Sequence, residues 1–439
     1  MPAVSTATLH ARADQAAGQG DFETALGASA AILSVVPSDH RARLKVGLCL
    51  SMLGQRAASM TTLKVVAESL AHGGFMLAAI GACRDALGLD ADAEDIHEVL
   101  RGIHTKIHGL EASERARVPP PVPPSTISQD VLSAYMDRPF ADILQASIEL
   151  GTASPVQGDA APASAIPLFS DLSAEGFMSV VQQMAFLKLR GDHELIHEGQ
   201  PGTSVYIVVS GEVRVFRGGG DAQTLAHLGG GALFGEMALM TDKPRTATVV
   251  TTQPSELFEI DARTLERLAD THPQVADDIA AFARRRLLIN VMATSSLFAP
   301  LDASKRLQVL RKFEPRVVDA KTMLIERGQP SSGLFIIVEG EVEVSTLDEA
   351  EDRVVVAYLQ TADIFGEIGL MEDKPATADV RASERTVVLH LPREQFKAFV
   401  AAHPEVLGVL ENLSDDRSEE LKQVMADGVA LDADDLIIL

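Results

Sequence analysis

One stretch of the chain occurs twice, and this internal repeat limits the folds open to more than half of its length. The segment IHEGQPGTSVYIVVSGEVRVF at 196–216 aligns without a gap with IERGQPSSGLFIIVEGEVEVS at 325–345. A second shared block pairs FGEMALMTDKPRTATV with FGEIGLMEDKPATADV. The connection between the blocks is two residues longer in the second copy. We expect two copies of one domain in tandem, at 168–290 and 297–425.

Each copy is predicted to be a small antiparallel β-roll with flanking helices, not a doubly wound sheet. Period-two runs of apolar residues, such as Val205-Ile207-Val209, indicate half-buried strands. Gly211 and Gly340 lie where hairpin turns are expected. Helices are predicted only at the ends of the copies, over 173–187, 262–290, 302–312 and 393–425.

Residues 1–117 are rich in Ala and Leu and have the pattern of paired helices. Gly20 and Gly54 would turn the chain within each pair, and the small residues Ala25 and Ser59 each follow five residues later. The spacing of the two glycines and this pattern resemble tetratricopeptide repeats and imply a groove that receives a partner peptide or helix. A helical bundle used only for dimerisation or as a cap is the alternative. The predicted helices cover 6–19, 22–35, 39–53, 56–71, 75–88 and 91–109.

Residues 118–167 separate the helical region from the first copy. They begin VPPPVPP and contain nine of the 21 prolines, which predicts a stiff, extended connector. Within it, 127–150 has the pattern of an amphipathic helix that is broken at Pro139. At the other end of the chain, we expect an acidic tail over 426–439.

Charge and composition exclude several classes of partner. Asp and Glu number 62 against 38 Lys and Arg, and the net charge of −24 would repel duplex DNA and anionic membranes. The N-terminus lacks a basic segment followed by an apolar core, and no apolar run approaches the ~18 residues of a membrane span. We therefore expect a cytoplasmic protein without a nucleic-acid partner or a membrane span. Cys49 and Cys83, in apolar surroundings, are predicted to be buried free thiols.

The second shared block of the first copy has the residues of an anion site. Gly235 lets an oxygen approach the backbone closely, and Glu236, Met237 and Ala238 can begin a helical turn whose amides point outward. Arg245, ten residues after Gly235, can make paired bonds to a phosphate. Glu236 would be repelled by a phosphate but is a strong acceptor for a sugar hydroxyl. These residue types together predict a phosphodiester close to a ribose hydroxyl, which a 3′,5′-cyclic nucleotide offers.

This block resembles the phosphate-binding cassette of cyclic-nucleotide-binding domains, which are eight-stranded rolls with flanking helices. The resemblance implies that Glu236 binds the ribose 2′-hydroxyl, and that Arg245 and the amides around Ala238 bind the cyclic phosphate of cAMP or cGMP. It also implies that Thr246 occupies the position that reaches the base of cGMP in some members. The cassette residues matched one by one are Phe234, Gly235, Glu236, Ala238, Leu239, Pro244, Arg245 and Ala247.

The second copy keeps part of this set, and Ala376 stands where the first copy has Arg245. Removing one partner of a buried charge pair costs about 2–5 kcal/mol, or about 1.5 to 4 decades of affinity. We therefore predict that this second, degenerate site binds cyclic nucleotide weakly or not at all, and that Ala376→Arg creates or strengthens a site. The degenerate set is Gly366, Glu367, Ala376 and Thr377, and Gly369 stands where the first copy has Ala238.

The sequence as a whole predicts a multidomain α+β protein: an N-terminal α-helical repeat of tetratricopeptide type, then two antiparallel β-rolls with flanking helices. No nucleophile elbow, Walker loop or metal-ligand spacing occurs, so neither catalysis nor a metal site is expected. We expect a non-enzymatic intracellular receptor that binds cAMP or cGMP in its first roll. The bound nucleotide would reposition the helix at 262–290, and the helical repeat would relay the change to a protein partner.

A ligand-independent interaction scaffold with degenerate rolls is the alternative function. The sequence also leaves homo-oligomerisation open. Tandem rolls also resemble the regulatory subunits of cyclic-nucleotide-dependent kinases, which carry a basic inhibitor segment ahead of the first roll. Residues 118–167 contain one arginine, Arg138, and no lysine, so inhibition of a basophilic kinase by that route is not expected.

Overall fold

A computed structural model describes most of the chain: residues 4–110, 117–120, 125–155, 160–166, 168–202, 204–218, 223–235, 245, 247–347 and 351–427. The chain divides into two compact units, Met1–Ala283 and Arg284–Leu439, and each is described by itself. The predicted acidic tail lies outside the described residues from position 428 onward. Among the helices that the structure describes, none is long and apolar enough to cross a membrane.

The N-terminal region is helical, as predicted, and its consecutive helices pack against one another. Side chains of Ser5, Asp21 and Asp39 cap three of these helices by accepting a backbone N–H bond three residues on. Gly20 and Gly54 adopt left-handed φ angles of 81° and 78°, which end a helix and turn the chain. The helices are α1 Thr6–Gly18, α2 Phe22–Val35, α3 His40–Met52, α4 Arg56–His72, α5 Met76–Leu87 and α6 Glu94–Ile107.

The segment expected to be an extended connector contains two helices that fold back on the helical region. They are α7 Gln129–Met136 and α8 Phe140–Thr152, and the break between them falls at Pro139, as predicted. Both pack against α2, and α8 also packs against α3 and α4. The expectation of a stiff connector over 118–167 is therefore wrong for this part, because apolar side chains of α7 and α8 join the core of the helical region.

A buried arginine joins α8 to the helical region. The Arg43 guanidinium, on α3, donates to the carbonyl oxygens of Leu150 (2.5 Å), Gly151 (2.8 Å) and Ala153 (2.7 Å). These carbonyls lie at the C-terminal end of α8, where a helix presents unpaired acceptors and partial negative charge. Burial lowers the pKa of Arg43, and the carbonyls replace the water that the cation loses.

The first roll is antiparallel, as predicted. Among the described residues, its strands form two four-stranded sheets with the orders β3-β10-β5-β8 and β4-β9-β6-β7. Two-residue strands β1 Val4–Ser5 and β2 Thr126–Ile127 pair separately in the helical region. The strands of the roll are β3 Ala185–Leu189, β4 Glu194–Ile196, β5 Val205–Ser210, β6 Glu212–Arg217, β7 Gln223–Gly229, β8 Leu233–Phe234, β9 Thr248–Thr251 and β10 Ser255–Ile260.

The second roll repeats this topology in the second unit. Its described strands have the sheet orders β11-β18-β13-β16 and β12-β17-β14-β15, which match those of the first roll strand for strand. The repeat seen in the sequence is therefore a repeat of fold. The strands are β11 Glu314–Val318, β12 Met323–Ile325, β13 Gly333–Glu339, β14 Val342–Leu347, β15 Arg353–Leu359, β16 Ile364–Phe365, β17 Asp379–Ala382 and β18 Thr386–Pro392.

The two glycines assigned to hairpin turns have a different role. Gly211 and Gly340, with φ of 87° and 105°, lie where the chain passes from one sheet of a roll to the other, so the flanking strands are not paired. An ideal Cβ on Gly211 would lie 2.2 Å from the Ser255 Oγ, and one on Gly340 would lie 2.5 Å from the Thr386 Oγ1. The hairpin prediction was wrong because a glycine between two strands marks any sharp turn, including a corner.

Helices flank both rolls, with boundaries that differ from the expected ones in two respects. The helix predicted over 173–187 ends at Gln183, since β3 begins two residues later. Each long helix predicted after a roll is two helices, because Pro273 and Pro404 begin new ones. The flanking helices are α9 Ala174–Gln183, α10 Ala262–Thr271, α11 Pro273–Thr294, α12 Ala303–Leu310, α14 Arg393–Ala402 and α15 Pro404–Asp427, with a 3₁₀ helix at Ser296–Phe298. One short helix, α13 Glu367–Met371, lies within the second roll between β16 and β17, although helices were expected only at the ends of the copies.

In the first unit, the helical region and the first roll share one hydrophobic core. This core includes buried residues of α4, α5 and α6, of α9, of β5, and of α10 and α11. The ring of Phe186 on β3 packs against Gly81 of α5. An ideal Cβ on Gly81 would lie 2.9 Å from the Phe186 Cζ. A salt bridge of 2.7 Å between Lys188 of β3 and Asp85 of α5 also connects the roll to the helical region. The roll and the helices therefore form one packed body.

Candidate functional site

Arg245 lies just before β9, and main-chain bonds fix its position. Its N–H donates to the Gln200 oxygen (2.8 Å), and its carbonyl accepts from the Gly199 N–H (2.8 Å). These residues belong to the Gly-Gln-Pro triplet that both copies share. The first shared block of the repeat therefore positions the arginine of the second block.

The Arg245 guanidinium brings the two ends of the predicted cassette together. Its Nη1 donates to the carbonyl oxygen of Gly235 (3.1 Å), and its Nη2 donates to that of Ser204 (2.8 Å). Gly235 has a left-handed φ of 80°, and an ideal Cβ on it would lie 2.8 Å from the Ser204 oxygen. A side chain at Gly235 would therefore be strained and would crowd the guanidinium.

The remaining predicted residues of the first site divide into two groups. Ala247 is half-buried at the start of the returning strand. The hydroxyl of the next residue, Thr248, accepts a bond from the Glu198 N–H (3.1 Å). The predicted ligand-binding residues Glu236, Met237, Ala238 and Thr246 lie outside the described residues.

Two stacked aromatic rings lie next to the arginine. Tyr206 and Phe234, on paired strands β5 and β8, have ring centroids 5.2 Å apart. The Tyr206 hydroxyl donates to a carboxylate oxygen of Glu259 (3.0 Å). Burial, and then the Glu259 charge, raise the pKa of Tyr206 to about 12, so this phenol stays neutral near Arg245.

The second copy reproduces the backbone of the first site without its arginine. The Ala376 N–H donates to the Gln329 oxygen (2.8 Å), and its carbonyl accepts from the Gly328 N–H (2.9 Å). These are the bonds that Arg245 makes in the first copy. Ala376 is half-buried and Thr377 is exposed. The second site therefore keeps its frame and lacks a guanidinium at this position.

The helical turn expected after the cassette glycine is present in the second copy. Helix α13 begins directly after Gly366, whose φ is 89°. The first residue of α13, Glu367, is 1% exposed, and its Oε1 accepts a bond from the Arg417 Nη1 on α15 (3.0 Å). Its Oε2 is buried and has no hydrogen-bond partner within the described part of the chain. Burial raises the pKa of Glu367, and the Arg417 charge acts against that rise.

A second arginine of the C-terminal helices contacts the same cassette. The Arg393 Nη1 lies 3.4 Å from the carbonyl oxygen of Gly369 and 3.5 Å from that of Ser331. Its Nη2 donates to the Asp373 carboxylate. Arg393 and Arg417 together connect α14 and α15 to the cassette of the second copy.

The comparison with known families agrees with this geometry. A profile of the family described as the cyclic nucleotide-binding domain matches residues 186–272 and 315–403, one segment in each roll. This chain carries tandem cyclic nucleotide-binding domains.

Proteins of similar sequence come from several organisms. Over 232 residues the chain is 31% identical to the cAMP-dependent protein kinase regulatory subunit of Yarrowia lipolytica. Over 243 residues it is 28% identical to that of Blastocladiella emersonii. The matches cover 52% and 55% of this chain, and the chain spans 58% of the length of each relative. The regulatory domain of Toxoplasma gondii PKA with cAMP is 27% identical over 57% of this chain and 92% of that one, with a TM-score of 0.28.

Sequence reasoning missed the residues that the C-terminal helices contribute to the second cyclic nucleotide-binding domain. One signal for Arg417 is present: it follows Pro404 by thirteen residues, as Arg286 follows Pro273 after the first roll. No sequence pattern linked Arg393 or Arg417 to the cassette of the second copy. Among the described residues, no group of three or more His, Cys, Asp or Glu side chains could hold a metal ion.

Proposed function

We propose that this protein is a non-enzymatic receptor for a 3′,5′-cyclic nucleotide, cAMP or cGMP, which binds in the first domain. The observation that supports this most directly is the position of Arg245, held between the carbonyl oxygens of Gly235 and Ser204. A guanidinium fixed at the end of a cassette can make paired, charge-assisted bonds to a phosphate. The names of the relatives, cAMP-dependent kinase regulatory subunits, favour the same ligand class.

The roles of the site residues are part of this proposal. Arg245 and the backbone amides from Gly235 to Ala238 would bind the cyclic phosphate, and Glu236 would accept a bond from the ribose 2′-hydroxyl. Met237, Thr246 and Ala247 would line the ligand. In the second domain, Gly366, Glu367, Ala376 and Thr377 would bind cyclic nucleotide weakly or not at all, since Ala376 supplies no guanidinium and Arg417 already engages Glu367.

The shared core of the first unit supports a route by which binding could reach the helical region. The Ser204 oxygen that holds Arg245 directly precedes β5. Val205, Ile207 and Val209 of β5 lie in the core shared with α4 to α6 and with α10 and α11. We propose that phosphate binding draws Arg245 from these carbonyls, and that the packed helices respond. A ligand shifts such an equilibrium only by its differential affinity, usually ~1–3 kcal/mol.

We further propose that the helical region receives a protein partner. Its paired helices and the spacing of Gly20 and Gly54 support a tetratricopeptide-like groove. A cavity of 670 Å³ between α4, α6 and the chain after α8 is lined by both charge signs, including Lys64, Asp95 and Lys106. The relatives favour a kinase catalytic subunit as that partner. The scarcity of cations at 118–167 argues against a basic inhibitor segment in the contact.

Equilibrium titration of the full chain with cAMP and with cGMP tests the receptor proposal. We expect wild type to bind one or both, Arg245→Ala to lose at least about 1.5 decades of affinity, and the exposed Arg214→Ala control to bind as wild type. Circular dichroism would check that each variant is folded. If wild type binds neither nucleotide, the receptor proposal is wrong, and a ligand-independent scaffold becomes the better account.

A further inference from the structure

Position 202 is glycine in the first domain because the Arg245 guanidinium fills the space beside it. An ideal Cβ on Gly202 would lie 2.2 Å from the Arg245 Nε and 2.8 Å from its Cζ. The backbone gives no other reason for glycine, since Gly202 is not among the residues with a positive φ. A methyl group here would displace the guanidinium from the carbonyls that hold it.

The second domain has a serine at the matching position. Ser331 aligns with Gly202 in the first shared block of the repeat, and it is buried. Its hydroxyl donates to the carbonyl oxygen of Gly333 (3.0 Å). Gly333 corresponds to Ser204, whose carbonyl accepts from the Arg245 Nη2 in the first domain. The serine hydroxyl therefore makes the bond that the guanidinium makes in the other copy.

The two exchanges between the copies are physically coupled. Arg245 requires a residue without a Cβ at 202, and Ala376 leaves a space in which Ser331 can turn its hydroxyl to the Gly333 oxygen. The second domain therefore lacks the arginine and also the room for its guanidinium. An arginine placed at 376 would meet the side chain of Ser331.

We propose that Gly202 is a positioning residue that determines which domain binds the anionic ligand, by leaving space for Arg245, and that Ser331 closes the matching space in the second domain. The ligand half of this inference rests on the proposed function. The steric half, that Gly202 acts through Arg245, does not depend on any ligand.

Gly202→Ala in the full chain tests both halves, with Gly229→Ala as the matched control. A Cβ on Gly229, in the same roll, would meet only the Gly211 oxygen at 4.0 Å among the described neighbours. We expect Gly202→Ala to lower the affinity for cyclic nucleotide at least about tenfold and Gly229→Ala to leave it unchanged.

A double-variant cycle separates positioning from a general structural effect. Without ligand, Gly202→Ala should lower the melting temperature in wild type, because the new methyl group meets the guanidinium, and should have no further effect in Arg245→Ala. Equal effects in the two backgrounds, or a Gly202→Ala variant that binds as wild type, would overturn the inference. If wild type binds no cyclic nucleotide, the proposed function and the ligand half fail together, and the thermal cycle still decides whether Gly202 positions Arg245.

Discussion

Replacing Arg417 with alanine would leave the Glu367 carboxylate buried without the cation that contacts it. The Arg417 Nη1 lies 3.0 Å from the Glu367 Oε1, and the other carboxylate oxygen already lacks a partner among the described residues. Glu367 is 1% exposed while α15 packs on α13, so little water reaches its carboxylate in the native packing. The variant therefore has to separate α15 from α13, or protonate Glu367, or accept an uncompensated charge.

The size of the effect follows from burial. Removing one partner of a buried ion pair costs about 3–5 kcal/mol. The Arg417 side chain is 22% exposed, so solvent already screens part of the attraction, and we expect about 3 kcal/mol. Glu367→Gln removes the charge and keeps an acceptor for Arg417, so it should cost only about 1 kcal/mol. The double variant should be more stable than Arg417→Ala, because no buried charge remains.

The pH dependence has a definite sign. The folded protein holds the Glu367 proton more tightly than the unfolded chain does, because burial raises the pKa of Glu367 above its ordinary value of 4.5. The free energy of unfolding therefore falls as pH rises from 4.5 through the raised pKa. Loss of Arg417 raises that pKa further. The loss of unfolding free energy in Arg417→Ala should be small at acidic pH. It should be complete above the pKa that Glu367 has in the variant.

Hydrogen exchange of the α13 and α15 amides in the full chain is the assay, since it reports local opening in a protein with several domains. Arg316→Ala, an exposed arginine on β11, is the matched control. The reasoning would be refuted if Arg417→Ala left protection of α13 unchanged at neutral pH. It would also be refuted if the effects of Arg417→Ala and Glu367→Gln simply added in the double variant.

Three further outcomes are expected. The sequence predicts that Ala376→Arg alone creates or strengthens a site, but the Ser331 side chain fills the matching space, so we revise that expectation. In an Arg245→Ala background, Ala376→Arg alone should bind no cyclic nucleotide, whereas Ala376→Arg with Ser331→Gly should gain a site in titration; equal binding by the two would contradict this. Arg43→Met should cost about 3 kcal/mol and expose α7 and α8 to limited proteolysis, since the α8 carbonyls lose their charged hydrogen-bond donor; unchanged digestion would count against it. Cys49 and Cys83 are free and buried, and burial raises the pKa of both thiols, that of Cys49 to about 11, so neither should react with a thiol reagent until the helical region unfolds.

The repeat allowed much of the fold to be predicted. Local signals, such as Gly20 and Gly54 at turns and the break at Pro139, are fixed by the conformations that a glycine or proline permits. The docking of α7 and α8 was missed because proline content suggested extension, whereas Arg43 and apolar packing hold them against the helices. Local chemistry could not reveal contacts between segments so far apart in the chain.

The candidate site was predictable only where the chemistry is contiguous in sequence. Gly235 and Arg245 lie ten residues apart, and the structure brings them together. The exchange of Gly202 for Ser331 was visible in the aligned segments, but its meaning depends on the guanidinium lying beside it in space. Arg417 contacts Glu367 from 50 residues away, through a helix whose direction the sequence does not specify.

The stoichiometry of cyclic-nucleotide binding to the full wild-type chain tests the central claim most directly. Isothermal titration calorimetry with cAMP, or with cGMP if that is the nucleotide bound, should give one site per chain, because Arg245 has no counterpart at Ala376. The same titration of Arg245→Ala, at the concentrations used for wild type, should show no site. Two sites per chain, or a single site that survives Arg245→Ala, would contradict the account.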